Sequence, residues 1–328
     1  MDEGDASSIQ AMKQARVLKT TGRYRKRRVG VLFGGFSKEK AISRVTGREV
    51  VKALRQKGYR VIPISVARDL SLQLRKNKID VVFNALHGKI GEDGCVQGLL
   101  EVMRIPYTGS GVTASALSMD KVFTKEIFLR RGVPTPKYQV VDKSRSATAV
   151  QLRPPVVVKP RAEGSTLGVS IVRRKSELPR ALATAFKFDP TCLVETYIPG
   201  KEIAVGVLNG RAVGAIEIRP LKGFYDYKTK YTAGLARHFY PAPLGRETYR
   251  RALRAAEKAC DALGCEGAPR VDLRVTDQGR VYVLEVNSLP GLTPLSLLPE
   301  IAAGEGIAFP DLVDLILDGA RVKTEVDA

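Results

Sequence analysis

Short apolar runs closed by glycines alternate with amphipathic stretches over the first third of the chain. Val29-Gly30-Val31-Leu32-Phe33 is such a run, ending at Gly34-Gly35, and its length suits a buried strand. From Ile42 to Lys57 the apolar residues Val50, Ala53 and Leu54 fall on one helical face, and Gly58 predicts the stop. Tyr59 to Val66 predicts a second strand. Asp80 to Leu86 predicts a third, running into the Gly-rich loop His87-Gly88-Lys89-Ile90-Gly91-Glu92-Asp93-Gly94 and a further helix. Strands and helices alternating with Gly at the junctions predict a parallel doubly wound sheet. Sheets of that kind bind ligands at the carboxyl ends of their strands, where these loops lie.

The second half has a different period. A strand at Pro155 to Lys159 leads into the loop Glu163-Gly164-Ser165-Thr166-Leu167-Gly168. Glu202 to Leu208 and Arg211 to Ile218 flank Asn209-Gly210, a strong hairpin signal. Leu221 to Arg237 is polar and aromatic with little periodicity, and a loop of that length usually has a function or is disordered. A helix (Glu247 to Leu263) precedes a second hairpin, Val271 to Val275 and Arg280 to Val286. This half reads as α+β and mostly antiparallel.

Length and charge add limits. At roughly 100–200 residues per domain, 328 residues suggest two or three domains, and no apolar run approaches a bilayer span. The net charge is +20, and residues 1–28 carry eight basic against three acidic side chains, five of the basics within Arg23 to Arg28. No aromatic-interleaved basic motif accompanies them, so the charge alone decides nothing; no nucleic-acid partner is expected, and the short apolar runs predict no membrane insertion. Cys95, Cys192, Cys260 and Cys265 show no CxxC spacing, and only His87 and His238 could join them. Zinc is therefore not expected, and reduced thiols in a cytoplasmic protein are.

The second hairpin carries the clearest chemistry. Glu285 and Asn287 share a face of its second strand by the period of two. A register that sets Asp272 opposite them would gather three oxygen ligands suited to Mg²⁺, although an acidic residue at a strand end can equally be solvated. No GxxxxGK[ST] is present. The Gly164–Gly168 loop is either an ordinary turn or a cradle of N–H groups for phosphate. Lys159, ending an apolar strand, either snorkels or meets an anion. His87 opens a Gly-rich loop and is either a packing residue or a ligand contact. Without a GxSxG motif there is no credible catalytic triad.

Together these segments resemble the D-alanine–D-alanine ligases of the ATP-grasp superfamily. The matching stretches begin with Val31-Leu32-Phe33-Gly34-Gly35, Ala85-Leu86-His87-Gly88, Gly91-Glu92-Asp93-Gly94 and Tyr107-Thr108-Gly109-Ser110-Gly111. They continue with Met119-Asp120-Lys121, Val158-Lys159-Pro160, Glu163-Gly164-Ser165 and Gly223-Phe224-Tyr225-Asp226-Tyr227 leading to Lys230-Tyr231. They close with Arg270-Val271-Asp272, Leu284-Glu285-Val286-Asn287, Pro290-Gly291 and Ser296-Leu297. The resemblance implies an α/β ATP-grasp fold, with an N-terminal doubly wound domain and two α+β domains that sandwich ATP. The expected boundaries are a polar, disordered extension 1–27, domains 28–118, 119–200 and 201–320 with a lid loop 221–237, and a tail 321–328.

By the same resemblance Lys121, Lys159 and Lys230 contact the phosphates of ATP, with Thr166 and Ile198 also on the nucleotide. Glu195 accepts from the adenine amine, Tyr197 lies against the base and Glu202 meets the ribose. Asp272, Glu285 and Asn287 are the ligands of two Mg²⁺ ions (Mn²⁺ is an alternative). Arg270 and the Gly291 N–H form an oxyanion hole. His87, Ser296 and Leu297 bind substrate, and Ser165 with Tyr231 makes a lid contact. A cytoplasmic homodimer that feeds peptidoglycan precursor synthesis is implied, with D-alanine and ATP as substrates. One departure stands out: the family pattern carries a Glu, the receptor of the first D-alanine's ammonium, where this chain has Ala41. Glu39, two residues earlier, is expected to point elsewhere. Loss of such a charge partner costs about 2–5 kcal/mol, which leaves a catalytically weakened nucleotide-binding paralogue as one alternative. A D-alanine–D-lactate or D-alanine–D-serine ligase is another; against the lactate form stands Tyr231, a neutral residue where such relatives usually carry a His.

Overall fold

The computed structural model describes residues 20–144, 150–221 and 234–324. Within them the chain forms three sheets in succession. The first is parallel, in the order β2-β1-β3, from β1 (Arg28–Gly34), β2 (Arg60–Val66) and β3 (Val81–Asn84). It is covered on both faces, which is why its strands read as nearly continuous apolar runs. Val29, Val31, Val81 and Phe83 meet Val50 and Leu54 of the helix Lys40–Gln56, and Leu312 and Val313 of the helix Phe309–Asp318. Leu32, Ile64 and Val82 meet Leu70 and Leu74 of the helix Leu70–Lys76, and Val96 and Leu100 of the helix Cys95–Val102. The last helix of the chain thus returns to the first sheet.

The extension expected to be disordered through residue 27 is ordered from Thr20 onward. Tyr24 is buried and its hydroxyl donates to the Ala320 carbonyl at 2.7 Å, while Thr21 Oγ1 donates to Asp318 Oδ1 at 2.6 Å. A single buried aromatic and these hydrogen bonds suffice to fix the turn despite its basic composition. Residues 1–19 lie outside the described residues.

The second sheet is antiparallel, β4-β7-β5-β6, from β4 (Tyr138–Asp142), β5 (Val156–Pro160), β6 (Ser170–Val172) and β7 (Thr191–Thr196). Val156, Val158, Cys192 and Val194 pack beneath the helix Leu178–Ala185. By alternation Lys159 and Glu195 share the opposite face.

The third sheet, β10-β9-β8-β11-β12, is also antiparallel. It comprises β8 (Lys201–Leu208), β9 (Arg211–Pro220), β10 (Ala236–Phe239), β11 (Arg270–Val275) and β12 (Val281–Asn287). Asn209 and Gly210 join β8 to β9 with φ of 48° and 78°, the two left-handed residues of a tight hairpin turn. Ala252, Ala256 and Ala259 of the helix Arg246–Leu263 let it pack against Val205, Val271 and Leu273. One parallel sheet followed by two α+β units is the architecture the resemblance implies. No helix among the described residues is long and apolar enough to cross a membrane.

Candidate active site

The carboxyl ends of β1 and β3 are tied together by a helical residue. Buried Ser43 accepts from the Gly34 N–H at 2.8 Å and donates to the Ala85 carbonyl at 2.7 Å. Beyond these strand ends opens a cleft lined by Glu39, His87, Lys121, Ser165, Arg270, Glu285, Asn287, Gly291, Ser296 and Leu297, among others. Lys159, Thr166, Glu195, Tyr197, Ile198, Glu202 and Asp272 lie outside that lining.

On the second sheet, Lys159 Nζ stands 2.8 Å from Glu195 Oε1, and Lys125 Nζ stands 3.2 Å from the same oxygen. Burial pushes the Glu195 carboxyl up, but the two ammonium groups outweigh it and hold it below the usual carboxylate range. Asp120 caps the helix Lys121–Arg131 by accepting from the N–H groups of Val122 and Phe123. The cap sets Lys121 at the helix start, where its Nζ donates to the Glu163 carbonyl at 2.6 Å and lies 3.8 Å from Glu285 Oε2. Burial lowers the Lys121 pKa. Ser165 and Thr166 both have positive φ, 51° and 62°, in the loop that follows β5. Two successive non-glycine residues in that region store strain, a feature that clusters at ligand-binding loops. Farther along, Arg274 organises the turn before β8. It donates to the carbonyls of Ile198 at 3.1 Å and Gly200 at 2.7 Å, and reaches Glu202 Oε2 at 3.4 Å. The Tyr197 ring has the guanidinium groups of Arg274 and Arg173 at 5.7 and 6.0 Å from its centroid.

The second hairpin sets Asp272 opposite Glu285 and Arg270 opposite Asn287. A bulge at Leu284 makes this possible, because Leu273 pairs with Val283 and the next pair skips one residue. Val283 points into the core; without the bulge, strict alternation would carry Glu285 and Asn287 to that same face. Arg270 is bidentate on Asp272, with Nε–Oδ1 and Nη2–Oδ2 both 2.8 Å. Two carboxylates and one amide oxygen make a hard donor set that fits Mg²⁺ completed by water and phosphate oxygens. Among the described residues no three His, Cys, Asp or Glu side chains cluster, so a cation here would depend on its nucleotide for further ligands.

At the other end of the cleft the expectation about Glu39 is corrected. The helix begins at Lys40, so Glu39 is its N-cap and is not bound to the helical wheel. Ser37 Oγ accepts from the Glu39 N–H at 3.1 Å and donates to the His87 carbonyl at 2.6 Å. This turn aims the Glu39 carboxylate into the cleft, where Oε1 accepts a short hydrogen bond from Ser165 Oγ. Ala41 lies on the exposed side of the first turn, as does Arg44. Glu39 therefore lines the cleft, and Ala41 does not.

His87 is held from both sides, with Nδ1 3.1 Å from Glu92 Oε1 and Nε2 3.0 Å from Thr46 Oγ1. Thr46 also accepts from the Leu292 N–H at 3.4 Å. Thr46 thus joins the helix Lys40–Gln56 to the loop bearing Gly291. Thr46→Val is expected to lower kcat about 3- to 10-fold, the worth of one buried hydrogen bond, with Thr46→Ser close to wild type in steady-state assays. Ser296, which precedes the helix Leu297–Gly304, accepts from the Thr293 N–H at 2.9 Å. A helix amino end favours an anion such as a carboxylate. Lys230 and Tyr231 lie outside the described residues, as does 222–233 of the expected lid. The ends of that loop are joined, the Leu221 N–H donating to the Leu235 carbonyl at 2.9 Å.

A family model described as the D-ala D-ala ligase C-terminus matches residues 127–318, and one described as its N-terminus matches 28–76 and 68–110. The chain belongs to the D-alanine–D-alanine ligase family. It is 52% identical over 309 residues to the D-alanine–D-alanine ligase of Geobacter sulfurreducens, covering 93% of this chain and 96% of that one. Identity to the ligase of Geotalea uraniireducens is 50% over 306 residues, covering 93% and 99%. Among solved structures, the D-alanine–D-alanine ligase of Bacillus anthracis matches with a TM-score of 0.81 and 38% identity, over 89% of this chain and 97% of that one. The same ligase complexed with ATP matches with a TM-score of 0.78 and 36% identity over the same shares. The three-sheet architecture is the ATP-grasp fold of these ligases. Glu39, Lys125, Thr46, Glu92 and Arg274 were absent from the candidates drawn from the sequence. Of these, Glu39 had a signal in its place two residues after Ser37 at the start of a helix, and Glu92 in the stretch Gly91-Glu92-Asp93-Gly94.

Proposed function

We propose that this chain joins two D-alanines into D-alanyl-D-alanine, coupled to cleavage of ATP into ADP and phosphate, for peptidoglycan precursor synthesis. The observation that carries this reading is the Glu39 carboxylate on Ser165 at one end of a cleft whose other end holds Arg270, Gly291 and Ser296. Glu39 offers a seat for the ammonium of the first D-alanine. The carboxylate of that D-alanine cannot expel oxide, so its oxygen attacks the γ-phosphorus of ATP and ADP leaves. Lys121 and Lys159 supply charge to the phosphates during transfer. Two Mg²⁺ ions, held by Asp272, Glu285 and Asn287, would neutralise phosphate charge when bound.

The amine of the second D-alanine, its carboxylate at Ser296 and Leu297, then attacks the acyl carbon. The tetrahedral oxyanion is met by the Arg270 guanidinium and the Gly291 N–H. Phosphate departs with the oxygen that came from the first carboxylate. The loop 221–237, with Lys230 and Tyr231, serves as a lid that keeps water from the acyl phosphate. A cytoplasmic location and a homodimer accompany the reading. With Ala41 exposed, the weakened-paralogue alternative has lost its ground. The test is ADP release from ATP, Mg²⁺ and D-alanine with D-lactate and D-serine as competitors, products identified by mass spectrometry. D-alanyl-D-alanine as the main product is expected; a D-alanyl-D-lactate or D-alanyl-D-serine product, or no turnover, would contradict it.

A further inference from the structure

Lys125 is fully buried, and no step above uses it. It lies one turn after Lys121 on the same helix. Its Nζ donates to Thr135 Oγ1 at 2.5 Å and stands 3.2 Å from Glu195 Oε1. Thr135 Oγ1 in turn donates to the Val283 carbonyl at 2.8 Å, on the strand that carries Glu285 and Asn287. Lys125 therefore connects the Glu195 carboxylate on the second sheet to the metal-bearing strand of the third.

Lys159 stands on the same oxygen, at 2.8 Å, so Lys125 is the second of two buried cations on one carboxylate. A second buried ammonium carries a desolvation cost, and burial brings the Lys125 pKa down to about 8. Both ammonium groups stand against the same oxygen, Oε1. The carboxylate is thus held ionised with its two cations on one side, the asymmetry a one-sided acceptor needs.

We propose that Lys125 is a positioning residue that holds Glu195 as an ionised, one-sided acceptor, so that the nucleotide site selects a 6-aminopurine over a 6-oxopurine. The proposal rests on the reading of Glu195 as the acceptor for the adenine amine. A carboxylate can only accept, so it pairs with a 6-amino group and repels a 6-oxo oxygen. With Lys125 removed, one cation remains on the carboxylate. Buried and less neutralised, Glu195 takes up a proton more readily, and a protonated carboxyl can donate to a 6-oxo oxygen. Discrimination should weaken more than catalysis.

The test compares ATP with inosine triphosphate, which replaces the 6-amino group by oxygen, in the Mg²⁺-dependent ligation of D-alanine. Wild type is expected to prefer ATP. Lys125→Met should raise the KM for ATP about tenfold, the scale of one charge-assisted hydrogen bond, with kcat within a few-fold and the ATP preference in kcat/KM reduced about tenfold. Thr135→Val, which keeps the charge and frees its anchor, should shift the preference in the same direction by less. General loosening of the fold would raise both KM values together and leave their ratio alone. An unchanged ATP preference in a folded Lys125→Met, or in Thr135→Val should the former not fold, overturns the proposal. No preference in the wild type overturns the reading of Glu195 itself.

Discussion

Glu39→Gln is expected to lower kcat/KM for D-alanine by roughly 30- to several-thousand-fold, the loss of about 2–5 kcal/mol for a buried charge deprived of its partner. Ala41→Glu, by contrast, should leave it within about twofold, the usual reach of an exposed substitution. The contrast follows from where the two side chains lie. Glu39 Oε1 accepts from Ser165, and two glycines of the surrounding loops approach its other oxygen closely. A Cβ on Gly88, whose φ is +71°, would stand 2.8 Å from Glu39 Oε2, and one on Gly164 would stand 3.1 Å from it. Two glycine loops and one serine thus close around a single carboxylate. Ala41 is on the solvent side of the helix. Initial rates across a D-alanine titration, at saturating ATP, check both variants; a large gain from Ala41→Glu would restore the position the structure has set aside.

Arg270→Lys should lower kcat by about 10²–10³-fold, the effect of losing an oxyanion donor, while the KM for ATP changes only a few-fold. Lysine keeps the charge but not the planar fork. Arg270 uses that fork on Asp272, with two contacts of 2.8 Å, so its orientation is set by the same carboxylate proposed to hold Mg²⁺. The substitution therefore separates charge from geometry. Rapid-quench single turnovers distinguish the step affected: amide formation should slow, and a fall confined to nucleotide binding would contradict the assignment.

Period and punctuation made most of the first and third sheets legible. The runs Val29 to Phe33 and Tyr59 to Val66, the Asn209-Gly210 turn and the helix from Glu247 to Leu263 each carry their own local signal. What alternation could not show was the bulge at Leu284. The sequence placed Glu285 and Asn287 on one face, but which face depends on a register shift set by pairing with β11. Glu39 stands just before its helix, where the helical repeat does not set a side chain's direction; the Ser37 turn does. Lys125 carries no local signal of its burial. Its burial depends on Thr135, Glu195 and Val283, which come from a following segment and two other strands. Contacts between distant segments of that kind leave no local pattern to read.

The central claim is that an oxygen of the first D-alanine's carboxylate attacks ATP and later leaves on phosphate. Ligation with D-alanine labelled by ¹⁸O in its carboxylate tests this directly, with the released phosphate analysed by mass spectrometry. The account predicts one ¹⁸O in each phosphate formed with D-alanyl-D-alanine. Unlabelled phosphate released alongside the same product would contradict it.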